Sequence, residues 1–372
     1  MTAFDESKHN RATDGKFANK PHNEADGVSL VAPTPVRHVM RDGGEEWALP
    51  DGTLHRVDGP AVTGAKGYEA WYDNGKRHRL DGPAVKDETG YEAWYKHGKE
   101  HRDGDLPALT LPGGHQEWYD HGQLHRDFGP AIQNPDGGEQ WYVHGQLHRE
   151  DGPAIVVGDG TKEWYVHGLR HREDGPAVER SDGTQEWFLH NQRHRDGGPA
   201  IVHSDGSEEW YKHGQQHRDN DQPAVVGSDG TQVWFDHGKR HRDDDQPAVV
   251  KANGTKEWYD HDTLHRTNGP AIVREDGSEE WWLHGKRHRD DGGPAITHAN
   301  GTQVWAQHGR THREDGPAII NSDGGESWAR NGKLHRTNGP AVTGPKTRNE
   351  YWLRGKQLSR REYDARTGGR FT

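Results

Sequence analysis

Histidine is the residue whose number and spacing in this chain most invite a chemical reading. There are 29 among 372 residues, and pairs such as His144 and His148 stand four apart. On a helix that spacing puts two imidazoles on one face and supplies half of a zinc site. Here Gly145 lies between them, so a turn separates the rings, and no acidic motif completes a ligand set. Equivalent histidines of neighbouring repeats are expected about 10 Å apart, two strand spacings, which is too far to share an ion. The sequence therefore assigns no metal and no cofactor, and gives the histidines to packing and turns. Candidate general acids, bases and nucleophiles all recur many times, whereas catalysis needs one convergent constellation in a pocket. The chain reads as a non-enzyme with no catalytic residue. It has no cysteine, which excludes disulfides, thiolate chemistry and Cys-ligated zinc.

The elements that must position these residues follow from a repeat. Fourteen of the fifteen tryptophans, from Trp47 to Trp352, recur every 23 or 24 residues. The unit at 141–163 reads WYVHGQLHREDGPAIVVGDGTKE. A His-Arg pair follows each of the first thirteen tryptophans, from His55–Arg56 to His335–Arg336, and a Pro-Ala pair follows each of those. Most units take five steps from this His to the Pro; His101 to Pro107, His217 to Pro223, His241 to Pro247 and His288 to Pro294 take six. One place alone tolerates an extra residue, which points to a bulge or bend there. Leu, Ile, Val and Phe make up only about 13% of the chain, a share usually associated with disorder. The 15 Trp, 11 Tyr and a net charge of only -12 argue against disorder, and 50 Gly indicate many turns. No stretch is long and apolar enough for a membrane span, and the N-terminus shows no signal-type apolar run, so a cytoplasmic chain without a membrane partner is expected.

Each unit carries two turn signals. Asp182–Gly183, Asp205–Gly206, Asn253–Gly254 and Asn300–Gly301 read as two-residue type I′ turns. The second signal is His-Gly in most units and Asn-Gly at Asn74–Gly75 and Asn331–Gly332. Short β-favouring runs lie between them, and Gly and Pro break every window long enough for a helix. The expectation is all-β: an elongated antiparallel meander of about 14 hairpin units, two strands each, forming a twisted or curved ribbon. If the His-Gly pair is the turn, Trp164 faces His171, Tyr165 faces Arg170 and Glu163 faces Arg172. Trp164, His171, Trp187, His194, Trp210 and His217 then form a structural ladder on one face, with the Val or Ile after each Pro-Ala as its core partners. Tyr165, Arg172, Tyr211, Arg218, Tyr259 and Arg266 form a candidate binding face on the other. Glu186–Arg195, Glu209–Arg218, Glu257–Arg266 and Glu280–Arg289 follow as cross-strand pairs. Stacked aromatics and arginines could read nucleic acid, but the Glu row and the acidic balance oppose it.

Residues 1–40 read as a flexible polar tail, 41–357 as the array, and 358–372 as a C-terminal cap or basic tail. The stretch Tyr72–His78, Tyr-x-Asn-Gly-Lys-Arg-His, resembles the MORN repeat. The Trp-Tyr…His-Arg-x-Asp-Gly-Pro-Ala unit resembles MORN-type arrays of bacterial and phage proteins. Its Pro-Ala and the Arg after His depart from the MORN pattern, so packing details are not carried over. Residues 7–30 are similar to N-terminal leaders of actinobacterial and actinobacteriophage proteins. The resemblance implies β-hairpin units in a long antiparallel sheet, in a bacterial or phage-infected cell. The functional expectation is a scaffold or protein-binding module, such as a phage factor engaging a host protein, or self-association. The alternatives are a virion or fibre component and a polyvalent metal- or ligand-sequestering array.

Overall fold

The computed structural model describes residues 33–345 and 348–369. A meander of 27 antiparallel strands runs the length of the array, each strand pairing with the next along the chain. The unit contains four short strands, not two. Ile155–Val156 and Lys162–Glu163 belong to the meander. Tyr165–Val166 and Leu169–Arg170 form a separate hairpin beside it, and the described residues contain thirteen such hairpins.

Local chemistry explains both turns. His167 and Gly168 adopt φ of 48° and 77°, the two positive values a type I′ turn demands. Asp182–Gly183 differs from the type I′ expectation, because only Gly183 has positive φ, 91°. Arg180 N–H donates to Thr184 O and Gly183 N–H to Arg180 O, so the loop has three residues and closes on a glycine bulge. The Asp182 carboxylate accepts the Thr184 amide at 2.8 Å, which favours this longer loop. Gly206, Gly254 and Gly301 repeat the pattern.

Tryptophan is the corner between the two layers of pairing. Trp164 N–H donates to Ala177 O at 2.8 Å, thirteen residues on, while its carbonyl accepts from His171 N–H at 3.1 Å. Trp and the following His are therefore cross-strand neighbours, and Tyr165 stands opposite Arg170. Glu163 does not stand opposite Arg172; it pairs with Ile155 and Val178 of the meander. Pairing changes partner at the corner, so a register counted outward from the turn fails beyond it. Glu186, Glu209, Glu257 and Glu280 depart from their expected partners for the same reason.

The Val or Ile after Pro-Ala is buried in several units, at Val85, Val178, Ile201, Val249, Ile272 and Ile296. The alanine after each proline, from Ala61 to Ala341, is fully buried in all thirteen units. Trp118, Trp234, Trp258 and Trp305 are buried and the other ladder tryptophans half-buried. Only a methyl fits where the Trp corner donates to the alanine carbonyl.

The ends depart from the repeat. Val36–Val39, inside the segment expected to be a tail, is the first strand and pairs with Glu45–Ala48. The rest of that expectation, residues 1–32, lies outside the described residues. At the other end helix α1, Arg360–Thr367, starts from a capping box between Ser359 and Glu362. Its Tyr363 is fully buried; the phenol donates to Arg336 O and accepts from Gly339 N–H, both at 3.0 Å. The helix thereby covers the last unit.

Candidate functional site

The His-Arg pair of each unit is engaged in holding the array together. The arginine carbon Cζ lies 3.8–4.4 Å above the ring of the preceding ladder Trp in all thirteen units. This cation–π stack is worth about 0.5–2 kcal/mol. In twelve of these units, all but that of Arg242, the same guanidinium bonds the proline carbonyl across the loop, as Arg149 Nη1 does to Pro153 O at 3.1 Å. A Cβ on Gly152 would come within 3.1 Å of Arg149 Cζ, which explains the glycine before most prolines.

The histidine faces the other way. In eleven units its Nδ1 accepts the backbone amide of the next hairpin's turn, as His148 does from His167 at 3.3 Å. That amide fixes the Nε2–H tautomer. Four of these rings, His101, His125, His217 and His288, donate Nε2–H to an Asp two residues on, and His241 does the same to Asp243. Ten of the thirteen His-Arg histidines, His171 and His241 included, stack on the next turn's histidine, with centroids 4.1–4.8 Å apart. The expected 10 Å separation applies to equivalent histidines; the close pairs join two different slots of consecutive units.

The six-step loops make contacts of their own. Asn220, Asp221, Asp244 and Asp245 take positive φ. Trp234 and Trp258 then donate Nε1–H to Asp221 O and Asp245 O, 3.1 and 2.9 Å away. Asp221 and Asp245 grip Arg242 and Arg266 of the next unit with two bonds each. The Arg266 guanidinium holds the Asp245 carboxyl below its usual range, and Arg242 does the same to Asp221. The extra residue is thus a clamp between units.

The candidate binding face is divided by this geometry. Tyr165 is buried, and its phenol donates to Glu163 at 2.8 Å; burial and that carboxylate push its pKa up to about 12. Tyr211 and Tyr259 donate to Glu209 and Glu257. Arg172, Arg218 and Arg266 lie on Trp164, Trp210 and Trp258, and of their pairs with a tyrosine, Tyr211 and Arg218 line one groove. The ladder residues Trp164, His171, Trp187, His194, Trp210 and His217 keep structural contacts, with His171, His194 and His217 stacked on His190, His213 and His237.

What remains outward is the loop between His-Arg and Pro. In the first four units it carries Val57, Leu80, Leu106 and Phe128, exposed by 85, 71, 50 and 88%. From Glu150 onward the same loop holds only Asp, Glu, Asn, Thr, Gln and Gly before the proline. Val57 and Leu80 share a groove with Trp71 and Tyr72, and Phe128 lines another with Trp118. Sequence reasoning passed over these residues because it followed what recurs; the signal was an apolar residue where other units are acidic. No helix among the described residues is long and apolar enough to cross a membrane. The chain matches no protein-family model and no curated protein sequence.

Proposed function

We propose that the protein is a non-enzymatic scaffold that binds a protein partner through the loops of its first four units. The observation that carries this reading is the row Val57, Leu80, Leu106 and Phe128. Four large apolar side chains on repeated loops are costly to leave in water, and contiguous exposed apolar surface marks interaction sites. Seven of the nine remaining loops carry Asp or Glu and the other two only Thr, Asn and Gly, so none offers an apolar contact, which confines the partner to one end. Kinship with bacterial and phage MORN-type arrays, and a place in the cytoplasm, belong to the same reading.

Photo-crosslinking residues at positions 80 and 128, with position 268 of a C-terminal loop as reference, test it in the native cells. Crosslinks to one protein from 80 and 128, lost in Val57→Asp/Leu106→Asp, are the expected result. Equal crosslinking from all three positions overturns the assignment of the site.

A further inference from the structure

Three of the ten stacked histidine pairs differ from the rest by one residue. The position before the turn histidine is Asp120, Asp236 or Asp260 in these units; elsewhere it is Lys, Val, Leu or Gln. Each Asp brings a carboxylate against two imidazoles. The donor atoms of His101, Asp120 and His121, of His217, Asp236 and His237, and of His241, Asp260 and His261 all lie within 4.8 Å of one another.

The third cluster has a further feature. His101 and His217 give their Nδ1 lone pairs to a turn amide. His241 does not: its Nδ1 is buried and has no hydrogen-bond partner. In this turn Asp262 stands where most units have glycine, and its carboxylate binds Arg240 instead. The His241 Nδ1 faces Asp260 Oδ1 at 3.3 Å, and His261 Nδ1 reaches the same oxygen at 2.6 Å. With Nε2–H given to Asp243 at 3.1 Å, the Nδ1 lone pair and the carboxylate oxygen repel at that separation unless a proton or a metal ion lies between them. The other nitrogen of His261 lies 3.8 Å from Asp236 Oδ2, so the neighbouring cluster is continuous with this one.

We propose that His241, Asp260 and His261 bind a divalent transition-metal ion of the zinc class, with Asp236 linking this site to its neighbour. Two imidazole nitrogens and one carboxylate are the donor set such ions take, and the half-exposed Asp260 and His261 leave the remaining positions to water. An imidazole binds a metal ion only through an unprotonated nitrogen, so affinity rises with pH.

Native alternatives in the repeat supply variants that fold. Valine occupies the Asp260 position at Val143 and Val166, and asparagine occupies the His261 position at Asn74 and Asn331 with φ of 47° and 50° against 46°. Protein without a polyhistidine tag is titrated with zinc chloride at neutral pH and the bound ions are counted by mass spectrometry. Asp260→Val and His261→Asn each weaken the tightest site about tenfold or more. His167→Asn, which removes a stacked histidine from a pair without a carboxylate, leaves it unchanged. Absence of saturable binding, equal affinity in all variants, or an equal loss in His167→Asn overturns the proposal.

Discussion

At the scale of single residues, the arginine after each histidine is the side chain whose role is least visible in its type. Arg195 stacks on Trp187 at 3.8 Å and bonds Pro199 O at 3.3 Å, so it closes a loop and covers an indole together. Arg195→Ala is expected to cost about 2 kcal/mol, and Arg195→Lys about 1 kcal/mol, since an ammonium keeps charge but not the planar stack. Urea midpoints measure both; a neutral Arg195→Ala would show the stack to be idle. Histidines set the pH response. Burial, with the His284 charge, holds His265 below its ordinary value, and burial with Arg330 and Arg354 does the same to His335. Groups depressed in the fold contribute stability that is full above the unfolded pKa near 6.5 and is lost as pH falls through the lower folded value. His115 opposes them: despite burial, Glu117 and Asn134 raise it. The lowered carboxylates, Glu186 and Glu280 among them, act only below about pH 4.5. The thermal midpoint is therefore expected to drop between pH 7.5 and 5, and a constant or rising midpoint would refute the histidine assignment.

At the scale of elements, the two turns answer to different rules and should respond differently to substitution. Gly206, at φ 84°, has no contact that forbids a Cβ, so Gly206→Ala reports backbone strain alone, about 1–2 kcal/mol. His213→Asn should lie within about 0.5 kcal/mol of the parent, because asparagine tolerates the same left-handed conformation. Chemical denaturation of both variants checks the contrast, and an equal cost would mean the turn histidine is held by more than its φ. The six-step loops were legible as places of irregularity from the count between His and Pro. Their purpose was not, because Trp234, which donates to Asp221 O, and Arg242, which Asp221 grips, belong to the following unit. The type I′ expectation failed at Asp182–Gly183 because the Asp side chain competes for the Thr184 amide.

At the scale of the whole molecule, every strand of the meander touches only its neighbours in the chain, so units contribute nearly additive terms. Deleting residues 164–186 joins Glu163 to Trp187 in register, and the shortened chain is expected to keep its β-type circular dichroism. Loss of that signal would show that distant units are coupled. The period, the all-β meander and the sites of the turns were determined by the sequence itself, because positive φ, proline and glycine act within a few residues. The sequence also placed Trp opposite His and Tyr opposite Arg, as far as pairing counted from one turn can reach. Three matters were decided only by tertiary structure: the change of partner at the Trp corner, the arginine on the indole, and the imidazole stacking across units. Strands of two residues carry too few hydrogen bonds to specify their partners alone. Each is fixed by a neighbouring strand, as Glu163 is by Ile155 and Val178, and the buried alanine leaves just enough room for the corner to close.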